Sequence, residues 1–246
     1  MRLSRAVLLP AAVLLSFAGA AAQAQDISGG VELATDENRR GLSWTGGRAA
    51  ASADALVMIG ALDASARIVS LRDAERQAGA DAVADLELGA TTDLGPFRLR
   101  GHVTAHLFAN ARERMDYAEL GARATYTLGP LQLGAGAVYA PDQNAIGGDN
   151  LYLFASANAG IPATPFSLSA SLGRSAGRAD DPLRAARLRP LGDYSDWRLG
   201  VEYNRFPFTV GLDYVGTDFA ERASVSPYAD PGHSGDRLVG RVRLSF

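Results

Sequence analysis

The sequence predicts a transmembrane antiparallel up-and-down β-barrel of about twelve strands behind an N-terminal signal peptide. Three observations carry this reading. In the last ten residues, Leu238, Gly240, Val242, Leu244 and Phe246 share one face, while Arg237, Arg241, Arg243 and Ser245 share the other with Val239 as the exception. That is the pattern of a strand between lipid and a polar interior. At the other end, Arg2 and Arg5 precede an apolar run from Ala6 to Ala18, followed by small residues and Ala22-Gln23-Ala24. This is a secretory signal, residues 1–24, cut before Gln25. Between the ends, alternating segments of about ten residues recur, joined by connections that are short and long in turn.

Taking the strands in order, the segments are 27–35, 48–57, 61–71, 81–93, 97–109, 115–128, 131–139, 150–160, 166–174, 193–204, 208–217 and 236–246. Tight turns near Val57 to Gly60, Leu94-Gly95-Pro96, Leu128-Gly129-Pro130, Ile161 to Pro165 and Arg205-Phe206-Pro207 have the Gly and Pro that turns require. Longer polar loops are expected near 36–47, 72–80, 110–114, 140–149, 175–192 and 217–235. An even strand number puts both termini at the periplasmic end, with ten and fourteen as the neighbouring counts. The second and third strands are the least well marked, because Ala49 to Ala55 is alanine-rich; a helix through 48–63 is the alternative there.

The faces agree from strand to strand. In 97–109, Phe97, Leu99, Gly101, Val103, Ala105 and Leu107 oppose Arg98, Arg100, His102, Thr104, His106 and Phe108. In 166–174, Phe166, Leu168, Ala170 and Leu172 oppose Ser167, Ser169, Ser171 and Gly173. In 193–204, Trp197, Leu199, Val201 and Tyr203 oppose Asp196, Arg198, Gly200, Glu202 and Asn204. Strands with polar inner faces cannot build the core of a soluble sandwich, so the apolar faces must point outward. Phe97, Phe166, Tyr203, Phe208 and Phe246 sit near tight turns or the terminus, where a periplasmic aromatic girdle is expected.

Composition agrees. Residues 25–246 form one barrel-sized unit, and mean hydropathy is −0.02, as expected where every second wall residue is polar. Losing Arg2 and Arg5 takes the formal charge from −3 to −5, and no basic patch points to nucleic acid. With no cysteine, a disulfide-stapled scaffold is excluded.

Arg40-Gly41-Leu42-Ser43 after the first strand, Asp193-Tyr194-Ser195-Asp196-Trp197-Arg198-Leu199-Gly200 leading to Asp213-Tyr214, and the terminal Arg-Leu-Ser-Phe together resemble the TorF family of outer-membrane porins. That family carries an aromatic residue before its Arg-Gly and a Gln after the Ser. Here Arg39 and Trp44 stand at those places, and Ala49 to Ala53 replaces an Ala-Gln-Gly type strand. The resemblance implies an outer-membrane barrel with a channel role and carries no defined substrate. The terminal Val242, Leu244 and Phe246 resemble the signal by which the barrel-assembly machinery recognises its clients.

The expected lumen lining is Glu32, Glu87, Arg98, Arg100, His102, His106, Glu119, Arg123, Arg198, Asp213, Arg241 and Arg243. Turn positions set Glu87 opposite His102, Glu119 near His106, Arg123 near His102 and Arg198 opposite Asp213, while closure brings Arg241 and Arg243 beside Glu32. Two readings of this wall stand: a charged constriction for small polar or anionic solutes, or pairs that neutralise a narrow interior. His102 and His106 are about 13 Å apart on a strand, so no metal site follows, and no cofactor is implied. A lipase triad would have to face lipid at the outer rim, whereas both histidines face inward; His233-Ser234 in the last loop is the remaining pair. Asp142, Asp149, Asp180, Asp181, Asp218 and Asp230 lack calcium-loop spacing. Arg184, Arg187 and Arg189 can meet lipopolysaccharide phosphates or fold into the pore. The expectation is passive passage of small polar solutes through an outer membrane, with a closed structural barrel and a hydrolase as rivals.

Overall fold

Strands with one apolar and one polar face leave no edge exposed in lipid only if the sheet closes. A computed structural model describes residues 26–219 and 226–246; the signal-peptide reading lies outside the described residues. In chain order the elements are β1 (Asp26–Ala34), β2 (Asn38–Arg39), β3 (Leu42–Ser43), β4 (Ala50–Ile59), β5 (Leu62–Ala74), β6 (Ala80–Leu94), β7 (Phe97–Ala109), β8 (Tyr117–Leu128) and β9 (Leu131–Gln143). There follow β10 (Gly148–Gly160), β11 (Phe166–Ala176), α1 (Pro182–Ala185), β12 (Tyr194–Arg205), β13 (Phe208–Thr217) and β14 (Arg237–Ser245). Twelve strands form a closed antiparallel barrel in which each pairs with its sequence neighbours and β1 closes on β14; β2 and β3 form a separate small hairpin. The alanine-rich segment is a strand and not a helix, because β4 is paired along its length between β1 and β5.

Four of the five tight turns are two-residue connections, as where Leu94 pairs with Phe97 around Gly95-Pro96 and Leu128 with Leu131 around Gly129-Pro130; the one between β10 and β11 spans 161–165. Gly95 and Gly129 sit at φ 58 and 57, where a side chain would be strained. At the opposite end several strands run further than the sequence suggests, so the loops after β5 and β9 shrink to 75–79 and 144–147, each a single 3₁₀ turn.

The outer wall is apolar: Leu33, Leu88, Leu172, Leu199 and Leu238 are 67%, 68%, 65%, 58% and 64% exposed. A belt of this kind is stable only against hydrocarbon. At the short-turn end Phe97 meets Tyr126 at 5.5 Å between ring centroids and Phe166 meets Tyr203 at 5.4 Å, giving the aromatic girdle. The interior holds one apolar cluster among the described residues, around Trp44, Val69, Leu71, Val83, Tyr117, Ile146 and Leu188. It sits at the long-loop end, where loops fold across the mouth.

Phe246 closes the seam, since it exchanges backbone hydrogen bonds with Gly29 in both directions at 3.0 Å, while the residue stays 68% exposed. Deleting Phe246 removes two of the bonds that hold the ends together, which costs about 1–3 kcal/mol. The expected result is less heat-modifiable, folded barrel in outer-membrane fractions, read from gel mobility before and after boiling.

Candidate functional site in the barrel lumen

The loop after β1 turns into the barrel. Asp36 organises it, accepting from Ser43 Oγ at 2.6 Å, Thr45 Oγ1 at 2.7 Å and Arg237 Nε at 2.9 Å. Arg40 and Gly41, at φ 51 and 76, make the tight reversal between β2 and β3 and aim two guanidinium groups at the inner wall. Arg39 Nη2 reaches Asp85 on β6 at 2.7 Å, and Arg40 Nη2 reaches Glu119 on β8 at 2.6 Å. Both are two-pronged contacts. Both guanidinium groups also lie over aromatic rings, Arg39 over Trp44 at 4.1 Å and Arg40 over Tyr152 at 4.7 Å. His106 stands between the same acids, with Nδ1 2.7 Å from Asp85 and Nε2 3.4 Å from Glu119. Tyr194 Oη donates to the Arg40 carbonyl at 2.8 Å.

Glu37 lies in this loop, 2.8 Å from Arg39 Nε and 2.7 Å from Arg67 Nη1. Burial alone would raise its carboxyl, but the Arg39 charge and the Arg67 hydrogen bonds outweigh burial and hold it below the usual carboxylate range. A lowered folded value means that this contribution is complete above the unfolded value and is lost as pH falls through the folded one.

A second layer of loops lies over the hairpin. Arg187 is buried against Phe108 at 4.3 Å, donating to the carbonyls of Met115 and Ala145 and to Gln77. Arg76 is equally buried and donates to the carbonyls of Arg187, Ala229 and Asp230. Burial pushes both guanidinium groups down to about 10, so both stay charged at neutral pH. Arg189 binds the carbonyls of Gly177, Asp149 and Arg178, and Arg184 binds Glu113. Arg187 and Arg189 therefore fold into the mouth, their donors turned to backbone carbonyls.

Below the hairpin, the inward residues form ion pairs along the wall. Arg98 meets Asp93 at 3.0 Å, Arg100 meets Asp63 at 2.5 Å and Glu87 at 2.6 Å, Arg198 meets Asp213 at 2.7 Å, and Arg243 meets Asp54 at 2.5 Å. Arg241 binds Glu202 and lies 3.6 Å from Asp213. Arg123 differs: it donates to Ser156 Oγ at 3.1 Å and touches no carboxylate among the described residues.

Register corrects several neighbours. Glu87 faces Thr104, and His102 faces Gly89 and Gly121, because the turn is centred on Gly95-Pro96 and not one residue earlier. Glu87 still reaches His102 diagonally at 3.9 Å. Arg123 faces Arg100 and leans away from His102 toward Ser156. Asp213 faces Gly200, so its pair with Arg198 is diagonal. Closure does bring Arg243, its register partner, and Arg241, which borders the same cavity, beside Glu32, but their hydrogen bonds go to Asp54 and Glu202, while Arg67 comes within 3.9 Å of Glu32. Among the described residues no group of three or more His, Asp or Glu could hold a metal ion. His233 pairs with Asp230, while Ser234 Oγ accepts from Arg76, so the two are not coupled as nucleophile and base. Sequence reasoning missed the docked hairpin; its signal was a pair of arginines at a Gly turn, which faces no predicted strand.

A family model described as a bacterial protein of unknown function, Gcw_chp, matches residues 18–238. The chain belongs to this family. Among curated proteins no sequence matches it. Among solved structures it is similar to the KdgM porin, with a TM-score of 0.59 at 6% identity over 89% of this chain and 99% of that one. It is also similar to the KdgM porin in complex with disordered oligogalacturonate, with a TM-score of 0.57 at 6% identity over 90% and 99%. The shared fold is the porin barrel, and with its apolar belt the chain is a barrel of the Gram-negative outer membrane.

The paired arginines predict a specific outcome. Replacing Arg241 and Arg243 together with Gln strands Glu202 and Asp54, each less than a third exposed. The unfolding free energy should fall by about 1–3 kcal/mol for each carboxylate left unsatisfied.

Proposed function

We propose that the protein is a porin for passive diffusion of small polar solutes, narrowed at its outer half by the docked β2–β3 hairpin. The observation that carries this reading is unfilled polar space inside the wall. A cavity of about 300 Å³ lies beside Arg123, Ser156, Asn158, Ser169 and Arg198, and one of about 320 Å³ lies beside Glu32, Glu37, Arg67, Arg198 and Arg241. Arg198 borders both and stands between the serine-lined wall of β10 and β11 and the hairpin side of the lumen. A hydrated path bordered by fixed dipoles and balanced charges favours small polar solutes, moved by their own gradient without a catalytic group. The resemblance to TorF porins and the similarity to KdgM support the same reading.

The apolar cluster under the loops favours a second reading, a barrel closed at rest that serves through its external surface. Swelling of proteoliposomes in isotonic sugars separates the two. A porin admits mono- and disaccharides at rates that fall with size; a closed barrel leaves the vesicles as impermeable as lipid alone.

A further inference from the structure

Arg100 and Arg123 are register partners on β7 and β8, two like charges side by side on the inner wall. They resolve the conflict by diverging. Arg100 takes two carboxylates, Asp63 and Glu87, whereas Arg123 turns the other way and receives none. It lies flat across Gly134 of β9, where an added Cβ would come 2.8 Å from Nη2 and 3.0 Å from Nε. The other lumen-facing strand arginines have a carboxylate within 4.0 Å, so among the described residues Arg123 leaves an uncompensated positive charge beside the cavity of about 300 Å³.

The rest of that cavity has a definite chemistry. Phe154 and Tyr152 stack at 5.8 Å on one side, and Arg123 is 5.9 Å from the Phe154 ring. Ser156, Ser169, Ser171 and Asn158 supply hydroxyl and amide groups, and Ser169 Oγ has no hydrogen-bond partner among the described residues. A guanidinium for a carboxylate, an aromatic face for a ring and several short polar side chains for hydroxyls together describe a receptor for a hydroxylated monocarboxylate. We propose that this cavity is a binding subsite for sugar acids within the lumen, with Arg123 as the carboxylate ligand. The assignment rests on the porin reading for its role in transport, but not for binding itself.

The test uses the full barrel folded in detergent and in planar bilayers, with sodium glucuronate as probe and glucose, acetate and inorganic phosphate as comparisons. Calorimetry should show glucuronate binding more tightly than any of the three. Arg123→Gln should weaken glucuronate about tenfold or more, the usual effect of losing a charged hydrogen bond. Because no carboxylate is stranded, this variant should keep its heat-modifiable mobility. Phe154→Leu should weaken glucuronate while leaving acetate unchanged. In bilayers glucuronate should block the KCl current of the parent channel and not that of Arg123→Gln.

Equal affinity for glucuronate and glucose, or unchanged affinity in Arg123→Gln, overturns the subsite. Tighter phosphate binding overturns the sugar-acid assignment in favour of a general anion site. Arg123-dependent binding without any KCl conductance leaves the subsite standing and removes the porin reading; conductance without binding does the reverse.

Discussion

Leu199→Arg is expected to destabilise the folded barrel by about 2–4 kcal/mol, the cost of a guanidinium facing lipid near the middle of a strand. Leu199 pairs with Ala170 and Tyr214, points outward and is 58% exposed, so an arginine there would face lipid. Ser169→Arg, one register step away but on the opposite face, should fold with little loss, because its side chain enters the polar cavity near Asp213. Its effect should appear in conductance. Urea unfolding in lipid vesicles gives the two free energies, and equal tolerance at both sites would contradict the face assignment.

The second large effect concerns the hairpin. Arg40→Ala leaves Glu119, only 5% exposed, facing Arg40's former place with His106 as its remaining partner. Removing one partner of a buried pair costs on the order of 3–5 kcal/mol. Here the loss is limited, because the hairpin can leave the wall and let water reach the carboxylate. The Arg39→Ala, Arg40→Ala double variant should therefore keep its barrel, undock the hairpin and conduct more than the parent. Trp44 reports the event: it is 3% exposed when docked, and in a Trp197→Phe background it is the single tryptophan of the chain. Its emission should shift red and become accessible to iodide. Acid should act in the same direction, since Glu37 stays ionised until pH falls below the usual carboxylate range, and its pairs with Arg39 and Arg67 are lost only there. A Trp44 signal insensitive to both changes would show that the hairpin is held by its apolar contacts alone.

Much of the barrel was legible because a strand's two faces repeat every second residue, a signal that survives small errors of position. The β6–β7 hairpin shows this. Placing its turn one residue early shifts the register by two, so Glu87 is set against His102 when it faces Thr104, yet both side chains remain on the inner face. The contacts of the wall were less legible because long side chains reach past their register partners: Arg243 pairs in register with Glu32 and bonds to Asp54. The docked loops were legible only in part. Folding into the pore is one of the two readings the sequence offers for Arg187 and Arg189, whereas only the closed wall with its Asp85 and Glu119 gives Arg39 and Arg40 a destination.

Single-channel recording of the refolded protein in planar bilayers bears most directly on the porin account. Protein that has passed the heat-modifiability test should insert and give discrete, ohmic current steps in KCl at neutral pH, with larger steps from the Arg39→Ala, Arg40→Ala variant. Folded barrel that inserts without steps, in the parent and the variant alike, would contradict it.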